Sequence, residues 1–572
     1  MIDFRLYRVA WLPALIAFVT VMFSLEGEPE PLEPALAPAA FDGGRTATNT
    51  RQLLAAAPER EPGSKGDEAA ASFVRERFQG IAAGTPQDQR FTASVDGENT
   101  DLRNEAITLP GDSERVIMVM APRDSTSGPG AASSAAATAT LIELAEVLGS
   151  SEHNKTLVLV STDGSSDGSV GAREYLDAYP DRDLIDAVIV IAQPGSSNPV
   201  QPHVLRDPVD DRSTSAQLVR TAEQAVSDQA DVAPGDRGTF ADLARLAMPA
   251  AAGDQAVAIG DGLDSVAISS AGEEPLPPAE DAPGDLGPNS LTAFGSATLG
   301  TILAVDQATT SLEHGPSSYV GFAGNLIPGW AIAVLALALL IPPGLAAFDG
   351  VARAARRRAG IGRALAWAVG LALPLLATLV LVYLLAVAGL IVRPRYPFDP
   401  GRFGVGIGEL VVLLVLLAVL LGTYVFTGLG QPPPGPRRAA LVPALGVTAT
   451  AGALATWVLN PYLALLLAPA AHVWLVADRG RGPRPATRIA LVAVALLPAA
   501  LALRSVTGAV GAGAWDVLLM IADGHIGTVV LITLCPLIGS LVGLILLPRG
   551  DVEPDVQPAR REPPLVDSSS SA

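Results

Sequence analysis

Residues 115–175 read RVIMVMAPRDSTSGPGAASSAAATATLIELAEVLGSSEHNKTLVLVSTDGSSDGSVGAREY, and this stretch decides the fold. It passes from a short apolar segment at 116–121 through a Gly/Ser turn into an Ala-rich run of helical character at 131–148. A β-branched apolar run follows at 156–161, and a further helix begins at Val170. The order strand, helix, strand, helix predicts parallel strands joined by crossover helices.

The loops that leave the two predicted strands are the first place to look for a site. In sheets of this kind, ligands bind at the loops that follow the carboxyl ends of the strands. Here those loops are 122–130 and 163–169, and both are rich in Gly, Ser and Asp.

These loops also resemble those of the family-28 zinc aminopeptidases and carboxypeptidases. In that family the first strand ends in H-x-D, the turn into the helix reads G-A-[DN]-D, and the next strand ends in D-G-E-E followed by G-x-x-G. The corresponding residues of this chain are Pro122-Arg123-Asp124, Gly130-Ala131-Ala132-Ser133 and Asp163-Gly164-Ser165-Ser166, with Gly168 and Gly171. The resemblance extends over about Arg60 to Asp306, and it implies an α/β aminopeptidase-like domain. Such a domain has a mixed, largely parallel sheet with helices on both faces.

The same resemblance implies that the zinc chemistry is lost. The family's ligands and base fall on Pro122 (first ligand His), Ser133 (bridging Asp), Ser165 (general base Glu), Ser166 (ligand Glu) and Ala192 (a later ligand Asp). The last register slips to Gln193 if the strand is one residue longer, and the final ligand His is expected within 272–282, where no His occurs. A two-zinc site needs imidazole and carboxylate ligands and a base. We therefore expect no catalytic residue and no metal or cofactor; zinc would be the cofactor only if the resemblance extends to function.

The loops keep features of a binding groove. Their glycines allow positive φ and close backbone approach, and most lost catalytic side chains became small rather than bulky. The candidate groove residues are Asp124, Gly130, Ser133, Asp163, Ser165, Ser166 and Asp254. An alternative is a hydrolase whose site is rebuilt from Asp124, Asp163, Asp167 and Asp254.

Composition places much of the chain in a membrane. Its 572 residues are 49% hydrophobic with a mean hydropathy of +0.38, which exceeds what a soluble enzyme shows. The apolar run at 9–25 follows Arg5 and Arg8, and its length fits a signal peptide or a short spanning helix. No clean cleavage site follows, so we predict an uncleaved N-terminal anchor at 1–25, a Pro-rich linker at 26–44 and a peptidase-like domain at 45–320.

The C-terminal part predicts a bundle of transmembrane helices. Seven apolar runs are candidate spans: 326–348, 364–391, 408–429, 439–458, 461–477, 488–505 and 526–547. They define a seven-helix transmembrane domain at 326–548. A low-complexity tail at 549–572 is expected to be disordered and cytoplasmic.

Arginine placement predicts the orientation. Loops 349–363, 430–438 and 478–487 are rich in arginine, whereas the alternate loops hold few. By the positive-inside rule, the two termini and these loops are cytoplasmic and residues 26–325 lie outside a cell membrane crossed several times.

Charge limits the partners. The net charge is −20, and acidic residues dominate between residues 26 and 325, so nucleic acid would be repelled. The expected partners are the lipid bilayer and other membrane or secreted proteins. Cys535 is the single cysteine, which excludes an intrachain disulfide.

Three functions fit these observations. The layout of one anchor, an outward peptidase-like domain and C-terminal spans is similar to that of the peptidase-like attachment subunits of GPI transamidases. That similarity implies a pseudo-peptidase that serves as a membrane-anchored binding or assembly subunit. The alternatives are a membrane-bound hydrolase with a rebuilt site, and a transporter-like bundle with a regulatory domain.

Overall fold

The computed structural model describes residues 7, 9–33, 40–126, 128–207, 210, 212–233, 235, 237–251, 253–398, 402–436, 438–477 and 484–548. Ten strands are present in these residues: Glu26–Gly27 (β1), Thr85–Val95 (β2), Glu98–Leu109 (β3), Ser113–Pro122 (β4), Lys155–Thr162 (β5), Ile185–Ile191 (β6), Val204–Leu205 (β7), Ser265–Ile268 (β8), Tyr319–Phe322 (β9) and Asn325–Pro328 (β10). The helices up to residue 307 are Leu12–Phe23 (α1), Gly43–Ala56 (α2), Lys65–Gln79 (α3), Ser134–Leu148 (α4), Val170–Ala178 (α5), Ala216–Ala230 (α6), Thr239–Ala247 (α7), Asp254–Gly260 (α8) and Pro288–Gln307 (α9).

Seven strands form the central sheet in the order β2-β3-β5-β4-β6-β8-β7. The four strands β5, β4, β6 and β8 are parallel to one another, whereas β2, β3 and β7 pair antiparallel at the two sides. This arrangement confirms the predicted mixed, largely parallel sheet, and the predicted helix–strand order at 115–175 is observed.

Both faces of the sheet are covered, which explains the continuous apolar runs. In β4, Ile117, Val119 and Ala121 pack on one core with α3, α4, α6 and α9, whereas Met118 and Met120 pack on the other core with α5. Strands buried on both faces lose the usual alternation of apolar and polar residues. The alternation of side-chain direction remains, and it decides which residues beyond the strand ends face the site.

The segment expected to be a linker at 26–44 is partly built into the fold. Glu26 and Gly27 form β1, which pairs antiparallel with β10 beside β9. The backbone N–H of Leu32 donates to Thr221 Oγ1 at 3.0 Å, and α2 begins at Gly43 with Asp42 as its cap. Residues 34–39 lie outside the described residues. The boundary at 45 therefore falls inside the domain, because backbone pairing with a distant strand leaves no local sequence signal.

The C-terminal helices are Gly329–Arg356 (α10), Ile361–Gly370 (α11), Leu373–Val387 (α12), Ile407–Phe426 (α13), Arg438–Leu459 (α14), Pro461–His472 (α15), Trp474–Ala477 (α16), Pro485–Ala509 (α17), Ala514–Asp523 (α18) and Thr528–Leu546 (α19). Among the described residues, six helices are long and apolar enough to cross a membrane: Gly329–Arg356, Ile361–Val387, Ile407–Phe426, Arg438–Leu459, Pro485–Ala509 and Thr528–Leu546.

The sequence predicts seven C-terminal spans, whereas six described helices are long and apolar enough to cross a membrane. The apolar run at 461–477 forms a shorter helix that breaks near Val473, and α1 is also short, at 12 residues. Apolar composition alone does not fix helix length, since α15 starts at the Asn460 cap and ends before the run does. The predicted tail at 549–572 lies outside the described residues.

The peptidase-like domain rests on the helical bundle. Asn460 Nδ2 donates to the carbonyl oxygens of Leu246 and Ala247 at 3.2 Å, and Ser318 Oγ lies 2.6 Å from Tyr462 Oη. The loop between α12 and α13 also reaches the domain, where the N–H of Gly168 donates to Pro397 O at 2.6 Å. The two parts therefore form one contacting body within the described residues.

Candidate functional site

A cavity of ≈ 160 Å³ lies where β4, β5 and β6 end, and we call it the cleft. The residues expected to replace the family's ligands and base all line it: Pro122, Ser133, Ser165, Ser166 and Ala192. Asp124 and Asp254 line it as well, as does Gln193, the alternative to Ala192. Positions matched by motif, although distant in the sequence, thus lie around one cavity.

Asp124 is committed to holding the loop that follows β5. Its carboxylate oxygens accept the backbone N–H groups of Ser165 and Ser166 at 2.9 and 3.0 Å. The side chain is buried, and burial raises the pKa of Asp124, although the hydrogen bonds from Ser166 and Ser165 oppose that rise. Asp124 therefore acts as an anchor for the Ser165–Ser166 turn.

Asp254 crosses the cleft from the first turn of α8. Its Oδ2 accepts the hydroxyls of Thr162 at 2.7 Å and Ser165 at 3.1 Å. Burial raises the pKa of Asp254, and the hydrogen bonds from Thr162 and Ser165 act against that rise. Ser165, which stands where the family resemblance expects the general-base Glu, thus donates its hydroxyl to a carboxylate.

Asp281 is a cleft residue that sequence reasoning missed. It lies in the 272–282 region, where the family resemblance implies a ligand His. Its Oδ1 accepts the N–H groups of Ala132 and Ser133 at 2.6 and 3.0 Å, and its Oδ2 accepts Ser133 Oγ at 2.5 Å. Burial raises the pKa of Asp281. A carboxylate at this place satisfies the free N–H groups that lead into α4, for which Ser133 provides no cap of its own.

Two residues of the predicted groove lie elsewhere. Asp163 is absent from the cleft lining, since it follows Thr162 by one residue and its side chain points to the opposite face of the sheet. There its Oδ2 accepts the N–H of Arg103 at 3.0 Å and lies 3.6 Å from Arg123 Nη2. The predicted groove residue Asp163 therefore lies away from this cleft, because side chains alternate between the two faces at the strand end.

Arg123 organises that opposite face. Its guanidinium donates to both carboxylate oxygens of Asp67, at 2.9 and 2.7 Å, and to the carbonyl of Arg103 at 2.7 Å. All of these side chains are buried. Burial lowers the pKa of Arg123, but Asp67 and Asp163 more than offset it, so the pKa is raised. For Asp163, burial and the nearby Asp67 raise the pKa despite Arg123.

Gly130 also lies outside the cleft lining, but the turn needs a glycine. Its φ is +60°, and an added Cβ would lie 2.5 Å from Ser134 Oγ and 2.9 Å from Arg60 Nη2. Arg60 is fully buried, donates to Ser134 Oγ at 2.9 Å, and has its pKa lowered by burial to about 10. Gly130 is therefore a support of the turn rather than a groove residue.

Asp167, a member of the proposed rebuilt site, is also directed away from the cleft. Its Oδ2 accepts the N–H of Asp96 at 2.6 Å, and its backbone pairs with Phe398 of the loop between α12 and α13. Burial raises the pKa of Asp167. Of the four aspartates of the rebuilt-site hypothesis, only Asp124 and Asp254 border one cavity.

The side chains that line the cleft do not fit the zinc ions that the family resemblance implies. In the described part of the chain, no group of three or more His, Cys, Asp or Glu side chains is placed to hold a metal ion. Asp124 and Asp281 each use both carboxylate oxygens on N–H or O–H donors of the chain, and Asp254 uses one on two hydroxyls. A zinc ligand would have to give up these bonds, and imidazole is missing from the lining.

Comparison with known proteins agrees with an aminopeptidase-like domain. The profile of Peptidase family M28 matches residues 104–242. Mouse transferrin receptor protein 2 is 31% identical over 130 residues, which are 20% of this chain and only 16% of the receptor.

Among solved structures, a glutaminyl cyclase from an Acidobacteriales bacterium is 22% identical, with 48% of this chain and 98% of that chain covered and a TM-score of 0.39. A zinc aminopeptidase from Bacillus subtilis is 12% identical, with 49% and 99% covered and a TM-score of 0.40. The molecule thus combines an M28-peptidase-like α/β domain with a helical region in which six helices are able to span a membrane.

Proposed function

We propose that this protein is a membrane-anchored, catalytically inactive peptidase-like subunit that binds a segment of a partner polypeptide in its cleft. One observation carries the proposal. The cleft is open, yet Asp124 and Asp281 at its walls have both carboxylate oxygens engaged by donors of the chain itself, and Asp254 has its Oδ2 engaged in the same way. A site built in this way holds its shape, and the one oxygen of these three carboxylates without a hydrogen-bond partner among the described residues, Asp254 Oδ1, is buried.

Hydrolysis is disfavoured by the same arrangement. A general base needs a free proton-accepting atom within reach of a water or nucleophile. Ser165 occupies the base position and instead donates to Asp254, while Pro122 has no side-chain donor or acceptor to offer a metal. The rebuilt-site alternative loses Asp163 and Asp167, which face other contacts.

The lining defines the chemistry of the ligand. Ser125, Ser133 and Ser166 border the cleft with hydroxyls, and Val190 and Leu205 are apolar residues beside them. Ser125 and Ser133 donate their hydroxyl protons to Gly128 O and Asp281, so their oxygens are left to accept backbone N–H groups of an extended peptide. A small apolar surface accepts one short side chain. We therefore propose a flexible peptide segment as the ligand class.

We further propose that the cleft lies outside a cell membrane. Arginines cluster at residues 349–363, where Arg353 and Arg356 lie in the last turn of the first long apolar helix and Arg357 and Arg358 follow it. Arg479 and Arg481 of a second predicted inside loop lie outside the described residues. The similarity of this layout to peptidase-like attachment subunits of GPI transamidases supports an assembly role.

Reporter fusions test the orientation. A reporter that is active only outside the cytoplasm, joined after residue 320, is expected to be active, and the same reporter joined within 349–363 is expected to be silent. The opposite pattern would reverse the proposed topology and leave the cleft in the cytoplasm.

A matched pair of variants tests the binding role. Ala192→Leu fills the cleft from a position that makes no side-chain hydrogen bond, and Ala93→Leu adds the same atoms at a half-buried position on the outer strand β2. The partner recovered with the tagged full chain from native membranes is expected to fall about tenfold for Ala192→Leu only. Equal recovery from both variants would remove the cleft from the interaction.

An activity assay separates the hydrolase alternative. The purified full chain is incubated with fluorogenic aminoacyl substrates, with and without added zinc. We expect no turnover above that of the Asp254→Asn variant. Turnover that requires Asp254 would establish a rebuilt hydrolytic site instead.

A further inference from the structure

A second cavity, of ≈ 270 Å³, lies in the helical region beneath the peptidase-like domain, and we call it the bundle cavity. Its walls are formed by α17, α18 and α19, and residues 247–250 of the domain cover it. The apolar side chains used below are Leu503, Val506, Met520, Val530 and Leu534.

The polar side chains at the bundle cavity are already bonded within the chain. Asn460 Nδ2 donates to the last two carbonyls of α7 at 3.2 Å, Thr507 Oγ1 donates to its own helix at 2.9 Å, and His525 Nε2 lies 2.8 Å from Pro249 O. None of the residues that line this cavity carries a formal charge at neutral pH. A polar ligand would lose its bonds to water here and gain none, so the lining selects an apolar ligand.

The surroundings identify which apolar ligand is at hand. Helices α17 and α19 are both able to span a membrane, and their outward positions expose Val494, Leu497, Val529 and Ile532. In a bilayer these faces contact acyl chains. The same two helices also line the bundle cavity, α17 with Val506 and α19 with Val530. A hydrocarbon chain entering it exchanges one apolar environment for another and gains close packing contacts.

We propose that the bundle cavity binds one hydrocarbon chain of a bilayer phospholipid. This inference rests on the proposal that the helical region spans a bilayer, and it goes beyond the peptide-binding role of the cleft. The bound chain packs beneath segment 247–250, whose carbonyl oxygens are held by Asn460, His525 and Arg245.

Photolabelling of the intact protein tests the proposal. The full chain is reconstituted in bilayers that contain phosphatidylglycerol with a diazirine on its palmitoyl chain, irradiated, and mapped by peptide mass spectrometry. Labelling is expected at Leu503, Val506, Val530 and Leu534, and it saturates as the probe fraction rises. At Val494 and Val529 it rises in proportion to the probe, because those residues face bulk lipid.

Two matched double variants sharpen the test. Val506→Phe with Val530→Phe fills the bundle cavity, whereas Val494→Phe with Val529→Phe adds the same rings on the lipid-facing side of the same helices. Excluding two methylene groups from the cavity is expected to lower labelling there about tenfold in the first variant only. Equal labelling in the two variants, or non-saturating labelling of the wild-type cavity, overturns the proposal.

The labelling pattern also distinguishes a cavity that binds no lipid chain from a helical region that does not lie in a membrane. Labelling of Val494 and Val529 without the cavity residues means that the helices meet lipid but hold no bound chain. Absence of labelling at all of these positions would reject the membrane placement itself. Saturation in the wild-type protein decides the matter if the filled variant does not fold.

Discussion

Where β4 and β5 end, the two faces of the central sheet carry different kinds of side-chain cluster. On one face, Arg123 lies between Asp67 and Asp163, and these buried groups form a closed set of opposite charges. On the other face, Asp124, Asp254 and Asp281 receive only N–H and O–H groups, and a cavity remains.

The difference shows how a single strand end serves both stability and binding. Pro122, Arg123 and Asp124 are consecutive, so their side chains alternate between the faces. The charged face fixes the strand ends, and the neutral donors on the cleft face shape a surface without filling it. Mutations on the two faces should therefore differ in kind as well as in size.

The largest expected effect is on the charged face. Arg123→Met leaves Asp67 and Asp163 buried without their guanidinium, and this is expected to lower the free energy of unfolding by about 3–5 kcal/mol. Urea unfolding of the detergent-solubilised chain, followed by circular dichroism, measures the change. As a control, Arg123→Met combined with Asp67→Leu should recover part of the loss. A change below about 0.5 kcal/mol in the single variant would show that the cluster does not support the fold.

A smaller loss is expected on the cleft face. Asp124→Asn keeps one acceptor oxygen but directs an NH₂ group at a backbone N–H of the Ser165–Ser166 turn. The expected cost is about 1–3 kcal/mol in the same unfolding measurement. Glu280→Gln, which neutralises an exposed carboxylate, is the control and should change little. If Asp124→Asn matched Arg123→Met, the two faces would not differ as described.

The pH dependence of stability tests the burial of the Asp254 carboxylate. Burial raises the pKa of Asp254 above its ordinary value of 3.8. Between that value and the raised one, the folded state keeps a proton that the unfolded state has released, so stability falls as pH rises. Asp254→Asn removes this contribution, and its stability relative to wild type should increase from about pH 4 toward neutrality. A difference curve that is flat or falls with pH would contradict the assignment.

The smallest expected effect is that of zinc. Because Asp124 and Asp281 have both carboxylate oxygens engaged and no imidazole lines the cleft, a chelator or added zinc should leave the unfolding midpoint unchanged. Elemental analysis of the intact chain should find no stoichiometric zinc. Finding about one or two zinc ions per chain would mean that the cleft face rearranges to bind metal.

The sequence was most informative where local pattern and motif spacing agreed. The apolar runs at 116–121 and 156–161 became β4 and β5 because their burial on both faces leaves a clear compositional signal. The motif frame then placed Pro122, Ser133 and Ser166 around one cavity, although they belong to different elements.

The errors came from contacts that local pattern does not encode. The motif places Asp163 in the groove, whereas counting alternate residues from Thr162 places it on the opposite face of the sheet. Asp281 joins Ser133 from 148 residues away, and no periodic signal links the two. The pairing of β1 with β10 likewise depends on a partner near the other end of the domain.

The pairing of β1 with β10 brings the two ends of the peptidase-like domain together. Gly27, where the chain enters the peptidase-like domain, stands opposite Asn325, where it leaves, in one antiparallel ladder. The polypeptide therefore enters and leaves the domain at neighbouring positions, and the domain is inserted between α1 and α10. A tight hairpin joining Gly27 to Asn325 would connect the two ends of the domain directly and leave the order of the apolar helices unchanged. The whole domain therefore occupies a single insertion point in the chain, and its removal requires only one short connection.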